Sequence, residues 1–231
     1  MTLIPKMNVG VIGCGNISRI YLQAPQTFGI LNIVACADLD MERARAQAER
    51  YNIPSACTVE ELLANPEIEL VVNLTIPRAH AEVGMAVIQA GKALYNEKPL
   101  AIGREEGRQL LEAAHAQGLR VGCAPDTFLG GGLQTSLQLI NEGAIGTPIA
   151  ANAFLLSHGV ERWHPDPEFF YQPGAGPLFD MGPYYLTALI ALIGPIRRVT
   201  GMASVTFPER VITSEPKYGT KITVNTPTHI V

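Results

Sequence analysis

Apolar and polar positions alternate along the first half of the chain in two distinct rhythms. Residues 7–12 form a short apolar run that predicts a strand, and residues 17–27 predict the helix after it. Asn32 to Ala37 predicts a second strand. Met41 to Tyr51, rich in alanine, arginine and glutamate, predicts a helix. Thr58-Val59-Glu60-Glu61 has the form of a capping box, which opens a short helix before Asn65-Pro66. The run Leu70 to Leu74 predicts a strand covered on both faces, as in a parallel sheet. Ala79 to Ala90 predicts a helix stopped at Gly91, followed by a strand at Ala93-Leu94-Tyr95. Arg104 to Gln117 predicts a helix stopped at Gly118, followed by a strand from Leu119 to Cys123. Regular strand–helix alternation implies parallel strands joined by right-handed crossovers. Residues 1–124 therefore read as a doubly wound α/β domain of the Rossmann type.

The rhythm changes after Pro125. Gly130-Gly131-Gly132 precedes a helix to Glu142, and Pro148 to Leu156 predicts a longer strand. His158 to Pro173 is rich in proline and aromatic residues and fits neither period; loops of that length are more often functional than decorative. Leu178 to Ile193 predicts one apolar helix, and strand-like segments follow around 196–206 and 220–231. Residues 125–231 thus read as a second α/β domain with an open, mainly antiparallel or mixed sheet. The last residues, Thr228-His229-Ile230-Val231, fall within a strand, so that sheet is expected to be incomplete. No internal repeat or low-complexity tract is evident.

Composition narrows the function classes. With 47% hydrophobic and 16% charged residues the chain is globular rather than disordered. A net charge of −4 without a lysine/arginine block argues against a nucleic-acid partner. The cysteines Cys14, Cys36, Cys57 and Cys123 are widely spaced, as expected of reduced thiols in a cytoplasmic protein with no metal site. Met1 to Lys6 carries no leader signature, and no apolar run approaches the roughly 20 residues of a membrane helix.

The candidate chemistry begins where Val9-Gly10-Val11-Ile12 runs into Gly13-Cys14-Gly15-Asn16-Ile17-Ser18. Gly13 permits a tight turn, Gly15 lets the backbone approach a phosphate, and the next helix turns its N-terminus towards the negative charge. Asp38, closing the second strand, can accept hydrogen bonds from a ribose and repel a 2′-phosphate, which favours NAD over NADP; otherwise it caps the following helix, in competition with Asp40. Arg43 and Arg45 could instead receive a phosphate. Thr75-Ile76-Pro77 lies at the carboxyl edge of the third predicted strand, where ligands bind in such sheets. His80 follows on the first helical turn and is given no proton-transfer role.

Lys98 stands between Glu97 and Pro99, with its backbone biased towards an extended form. Near a bound nicotinamide its amine is a candidate proton-transfer group. Asp180 and Tyr184 are four residues apart and would share one face of the predicted apolar helix. Trp163, the only tryptophan, either stacks on a sugar ring or belongs to the core. Glu161 with His158 and His164 hints at a metal only weakly, and none is expected.

These residues together resemble the Gfo/Idh/MocA family of glucose–fructose oxidoreductases and inositol dehydrogenases. The likeness rests on Gly13-Cys14-Gly15-Asn16-Ile17, on Thr75-Ile76-Pro77 with His80, on Ala90-Gly91-Lys92 leading to Glu97-Lys98-Pro99, and on Asp180-Met181-Gly182-Pro183-Tyr184. It implies a Rossmann domain followed by an α/β domain whose open sheet mediates homo-oligomerisation. It also implies NAD(P)-dependent oxidation or reduction of a sugar, cyclitol or related polyol. The resemblance makes Lys98 the acid/base, with a Lys98–Pro99 bond that can be cis, and gives Asp180 the task of orienting substrate or tuning Lys98. Tyr184 stands where many members carry histidine, which leaves open whether Lys98 or Tyr184 takes the proton. Cofactor contacts fall to Gly13, Cys14, Gly15, Asn16, Ile17, Asp38, Thr75, Ile76, Pro77, His80, Glu97 and Lys98; substrate contacts fall to Lys98, Trp163, Asp180 and Tyr184. Two alternatives stay open: an NAD-dependent glycosidase of the same fold, and a non-catalytic dinucleotide-binding paralogue. The chain is also shorter than members of that family usually are.

Overall fold

The glycine loop hangs from the central strand of a parallel sheet. That strand, β1 (Met7–Ile12), is flanked by β2 (Leu31–Ala37) on one side and β4 (Leu70–Asn73) on the other. β3 (Ser55–Cys57) lies outside β2, while β5 (Ala93–Asn96) and β6 (Val121–Cys123) continue beyond β4, giving the order β3-β2-β1-β4-β5-β6. The chain builds outwards from β1 in one direction and then crosses back to build in the other. A crevice opens at such a reversal, outside the carboxyl ends of the strands. The computed structural model describes residues 5–231, in two compact units that meet in sequence at Ala124 and Pro125. Met1 to Ile4, part of the stretch read as lacking a leader, lie outside the described residues.

Helices α1 (Ser18–Thr27), α2 (Met41–Tyr51), α3 (Val59–Ala64), α4 (His80–Gln89) and α5 (Arg104–Ala116) follow successive strands. The alternation of side chains along β1 assigns them to two cores. Val9 and Val11 pack with Leu22, Ile33, Ala44 and Ala48, whereas Ile12 packs with Leu62, Val71, Val87, Ile88, Leu94 and Leu110. The capping box at α3 is formed in both directions: Thr58 Oγ1 accepts the Glu61 N–H at 3.2 Å, and Glu61 accepts the Thr58 N–H at 2.9 Å. Lys92 is buried, and its ammonium donates to the carbonyls of Asn65 (2.6 Å) and Ile68 (3.0 Å). Burial lowers its pKa. β3 was not legible in the sequence, because three residues carry no period of their own; it exists through its pairing with Ala35–Ala37 of β2.

The second unit contains three 3₁₀ turns (Asp126–Leu129, Val160–Arg162 and Pro167–Tyr171), α6 (Gly131–Asn141), α7 (Gly176–Asp180) and α8 (Gly182–Ile193). Its strands form two antiparallel pairs. β7 (Ala203–Ser204) pairs with β10 (His229–Ile230), and β8 (Glu209–Val211) with β9 (Lys221–Thr223). Two expectations fail here. The strand expected over Pro148–Leu156 does not form: no described strand pairs with those residues, and Ile149 and Leu156 are 97% and 91% exposed. Alternation can nominate a face, but a strand exists only through a hydrogen-bonded neighbour. The single helix expected over Leu178–Ile193 is broken at Met181. Pro183 has no N–H to continue the ladder, so a new helix starts at Gly182 with proline in its first turn. No helix among the described residues is long and apolar enough to cross a membrane.

Candidate functional site

Gly13 begins the loop in a left-handed conformation, with φ of +100°. A Cβ there would lie 2.7 Å from the carbonyl carbon and oxygen of Leu74, so the loop's close approach to the end of β4 requires glycine. At Gly15 a Cβ would meet no protein atom within 4 Å. That side of the loop is open to a ligand, while Ser18 behind it is fully buried and donates its hydroxyl to the Gly15 carbonyl at 2.7 Å. Ile17, at the start of α1, offers no side-chain cap; the Ser18 and Ile20 N–H groups turn to the Gly15 and Ile17 carbonyls at 3.1 and 3.2 Å, and the helix N-terminus keeps its partial positive charge for an anion. A glycine cradle open on one side and a helix start without a cap fit the pyrophosphate of a dinucleotide.

Asp38 completes this loop. One carboxylate oxygen accepts the Cys14 N–H at 2.8 Å and the other accepts the Asp40 N–H at 2.9 Å. Asp40, and not Asp38, caps α2, accepting from Glu42 and Arg43. Arg43 lies 3.6 Å from each of Asp38 and Asp40. The Cys14 thiol packs inside, where its hydrogen bond with Cys36 and burial push its pKa upward. Cys14 therefore offers the site a backbone amide already held by Asp38, and an inert side chain.

The turn after β4 is organised by buried polar groups. Asn73 Oδ1 accepts both the N–H (3.2 Å) and the hydroxyl (2.7 Å) of Thr75. Ile76 is 59% exposed on this turn, and Pro77 opens a 3₁₀ turn leading into α4. His80 is 1% exposed, with Nδ1 2.6 Å from the Pro99 carbonyl and Nε2 2.8 Å from the Thr75 carbonyl. Lys98 follows β5 and is partly buried, and the Lys98–Pro99 peptide is cis. Glu97 accepts the Lys98 N–H at 2.7 Å through one carboxylate oxygen and the Tyr21 hydroxyl at 2.9 Å through the other. The backbone of Glu97 is tied to β4 by its N–H, 2.9 Å from the Asn73 carbonyl. The glycine loop, the Thr75–Pro77 turn and the Lys98 corner thus sit at the carboxyl ends of neighbouring strands β1, β4 and β5.

In the second unit Asp180 is the last residue of α7, and Tyr184 lies in the first turn of α8. They stand on two successive helices joined at Met181 rather than on the single helix expected. The amides of Tyr184 and Tyr185 turn back to the Met181 carbonyl, at 3.1 and 3.3 Å. Trp163 is 68% exposed, which removes the core reading, and its ring meets His164 edge-on at 5.4 Å. Glu161, considered above with two histidines, is buried and engaged by Arg210 at 2.6 Å and by the Tyr171 hydroxyl. Among the described residues no group of three or more histidine, cysteine, aspartate or glutamate side chains is placed to hold a metal.

Sequence reasoning missed Tyr21, Asn73 and Asn96. Tyr21 gave no signal. The two asparagines did, since each ends an apolar strand, and they are register partners in β4 and β5. Both donate to the His80 carbonyl, at 3.2 and 3.4 Å, and Asn96 donates also to the Leu100 carbonyl at 3.0 Å.

Over 146 residues the chain is 32% identical to a 1,5-anhydro-D-fructose reductase of Ensifer adhaerens, covering 63% of this chain and 44% of that protein. Over 169 residues it is 30% identical to inositol 2-dehydrogenase 3 of Saccharopolyspora erythraea, covering 71% and 48%. The chain thus spans under half the length of these two curated relatives. An NAD binding oxidoreductase from Klebsiella pneumoniae shares the fold, with a TM-score of 0.82 at 24% identity, over 97% of this chain and 62% of that one. Residues 7–124 match the family described as an oxidoreductase family with an NAD-binding Rossmann fold, and residues 133–231 match the Gfo/Idh/MocA C-terminal domain. The chain belongs to the Gfo/Idh/MocA family.

Proposed function

We propose that this protein is an NAD-dependent dehydrogenase acting on a CH–OH group of a sugar, cyclitol or related polyol. The observation that carries the reading is Lys98, fixed by Glu97 at the end of β5 in the sheet whose central strand bears the glycine loop. Gly13, Gly15 and the start of α1 would hold NAD, which when bound would supply the hydride acceptor. Cys14, Asn16 and Ile17 contribute backbone to that cradle. Asp38 would accept hydrogen bonds from the ribose, and its charge disfavours a 2′-phosphate; Arg43, close to both Asp38 and Asp40, has its charge largely offset. Thr75, Ile76 and Pro77 line the carboxyl edge, with His80 and Glu97 supporting them. Lys98 accepts the hydroxyl proton as hydride leaves carbon. Asp180 and Tyr184 hold and orient substrate, and exposed Trp163 offers a face for a sugar ring. Two relatives named for an anhydro-sugar and for inositol support this substrate class. The two-stranded ladders of the second unit leave backbone edges, which suits association with further copies.

The test is NADH formation by the purified protein across a panel of sugars and cyclitols, with Lys98→Ala alongside. Turnover with at least one polyol is expected, falling by roughly a hundredfold or more in the variant. Tight NAD binding without turnover on any of them would leave the non-catalytic paralogue as the better account. Turnover of glycosides without net NADH would favour the glycosidase.

A further inference from the structure

His80 faces carbonyl oxygens from both of its ring nitrogens, the Pro99 oxygen at 2.6 Å and the Thr75 oxygen at 2.8 Å. A carbonyl can only accept. A neutral imidazole has one N–H, so a neutral His80 would aim a bare lone pair at one of these oxygens inside hydrogen-bonding distance. The ring is 1% exposed, which leaves no room for water to relieve that contact. Burial of a cation is costly, but two short charge-assisted hydrogen bonds offset it, and a donor is what each oxygen requires.

The bonds tie together two parts of the site. Thr75 ends the turn after β4, and Pro99 follows Lys98. On the other side of Lys98, its N–H is held by Glu97, whose second oxygen holds Tyr21 of α1. One residue further on, Asn96 holds the Leu100 carbonyl. The backbone on both sides of Lys98 is therefore anchored, and His80 is the anchor that also reaches the Thr75 turn.

We infer that His80 is a positioning residue for Lys98 that acts as a buried imidazolium, donating one ring N–H to the Pro99 carbonyl and the other to the Thr75 carbonyl. It does not touch the reacting atoms. The positioning role rests on the reading of Lys98 as the proton-transfer group; the two-proton state does not.

The test has two arms on the full chain. In the first, protein labelled with ¹⁵N-histidine is recorded at neutral pH by long-range ¹H–¹⁵N correlation. His80 is assigned among the five histidines by the loss of its signals in His80→Gln, or by through-bond correlation to the assigned backbone if that variant does not fold. Both ring nitrogens are expected to carry protons. One bare nitrogen would overturn the inference, and with Lys98→Ala inactive it would do so while leaving the proposed function intact. In the second arm, His80→Gln is expected to lower kcat by about tenfold to a hundredfold while the KM for the polyol changes by less than about threefold. An unchanged kcat would overturn the positioning role. Full activity in Lys98→Ala would remove the proposed function and the positioning role with it, and the two-proton spectrum would still stand.

Discussion

Cys123 ends β6 with its sulfur 3.8 Å from the Glu97 carbonyl, and burial pushes its thiol up from 9.0 to about 11. The folded chain therefore holds this proton over a range in which the unfolded chain has released it. The stability this contributes is complete below pH 9.0 and is lost as pH rises towards about 11. Cys123→Ala should flatten that part of the curve, measured as urea stability between pH 8 and 11 against the parent. Equal slopes would show that the thiol is not coupled to folding. Single residues also mark how far the sequence could be read. Gly13 was legible because its φ and the nearby Leu74 carbonyl leave no alternative, and a strand followed by glycine announces that. Asp38 and Asp40 were not separable, since either carboxylate could reach the α2 amides and only the backbone path decides. The two partners of His80 lie 5 and 19 residues away, beyond any local pattern.

Among the elements, the irregular stretch from His158 to Pro173 gains its order from elsewhere in the unit. Glu161 is paired with Arg210 of β8, and Arg210 also donates to the His158 carbonyl at 2.7 Å. The Glu161 carbonyl accepts the N–H groups of Thr213 (2.9 Å) and Ser214 (3.1 Å), and the Tyr171 carbonyl accepts the Asn225 N–H at 2.8 Å. Gly159, with φ of +116°, has room for no side chain beside Glu161 and Tyr171. Burial, and then the carboxylate of Glu161, raise the Tyr171 pKa, so the phenol stays protonated as the donor. Glu161→Ala strands Arg210 in a partly dry site and should cost roughly 3 kcal/mol in thermal or urea unfolding. Arg210→Met combined with Glu161→Leu should recover part of that loss; a single variant within about 0.5 kcal/mol of the parent would mean the pair is idle. None of this was visible in the sequence, because the partners lie some 50 residues apart. The helix break at Met181 was visible in principle: Gly182-Pro183 inside an apolar period is a stop signal, and the period outweighed it in the reading.

At the scale of the whole molecule, the buried clusters do not mix. The two apolar clusters on β1 draw every member from the first unit, and Phe170, Tyr171, Ile212, Ile222 and Val224 form a separate one in the second. The first unit has the size of a domain that folds alone, and both apolar clusters on β1 lie within it. A fragment of residues 1–124 should unfold cooperatively and retain NAD binding by titration, without turnover. A fragment that stays unstructured would show that its core depends on the second unit. The doubly wound parallel sheet was legible at this scale because alternating strands and helices admit few right-handed arrangements. The second unit was less legible, since strands of two or three residues are decided by their partners. β1 is synthesised before β2 and β4, which flank it, and Gly13 takes its shape against Leu74. On the ribosome the phosphate-holding loop is therefore encoded early and completed late. Until Leu74 has emerged and β4 has docked beside β1, a dinucleotide has no cradle to bind, so cofactor can stabilise the finished sheet but cannot template its beginning.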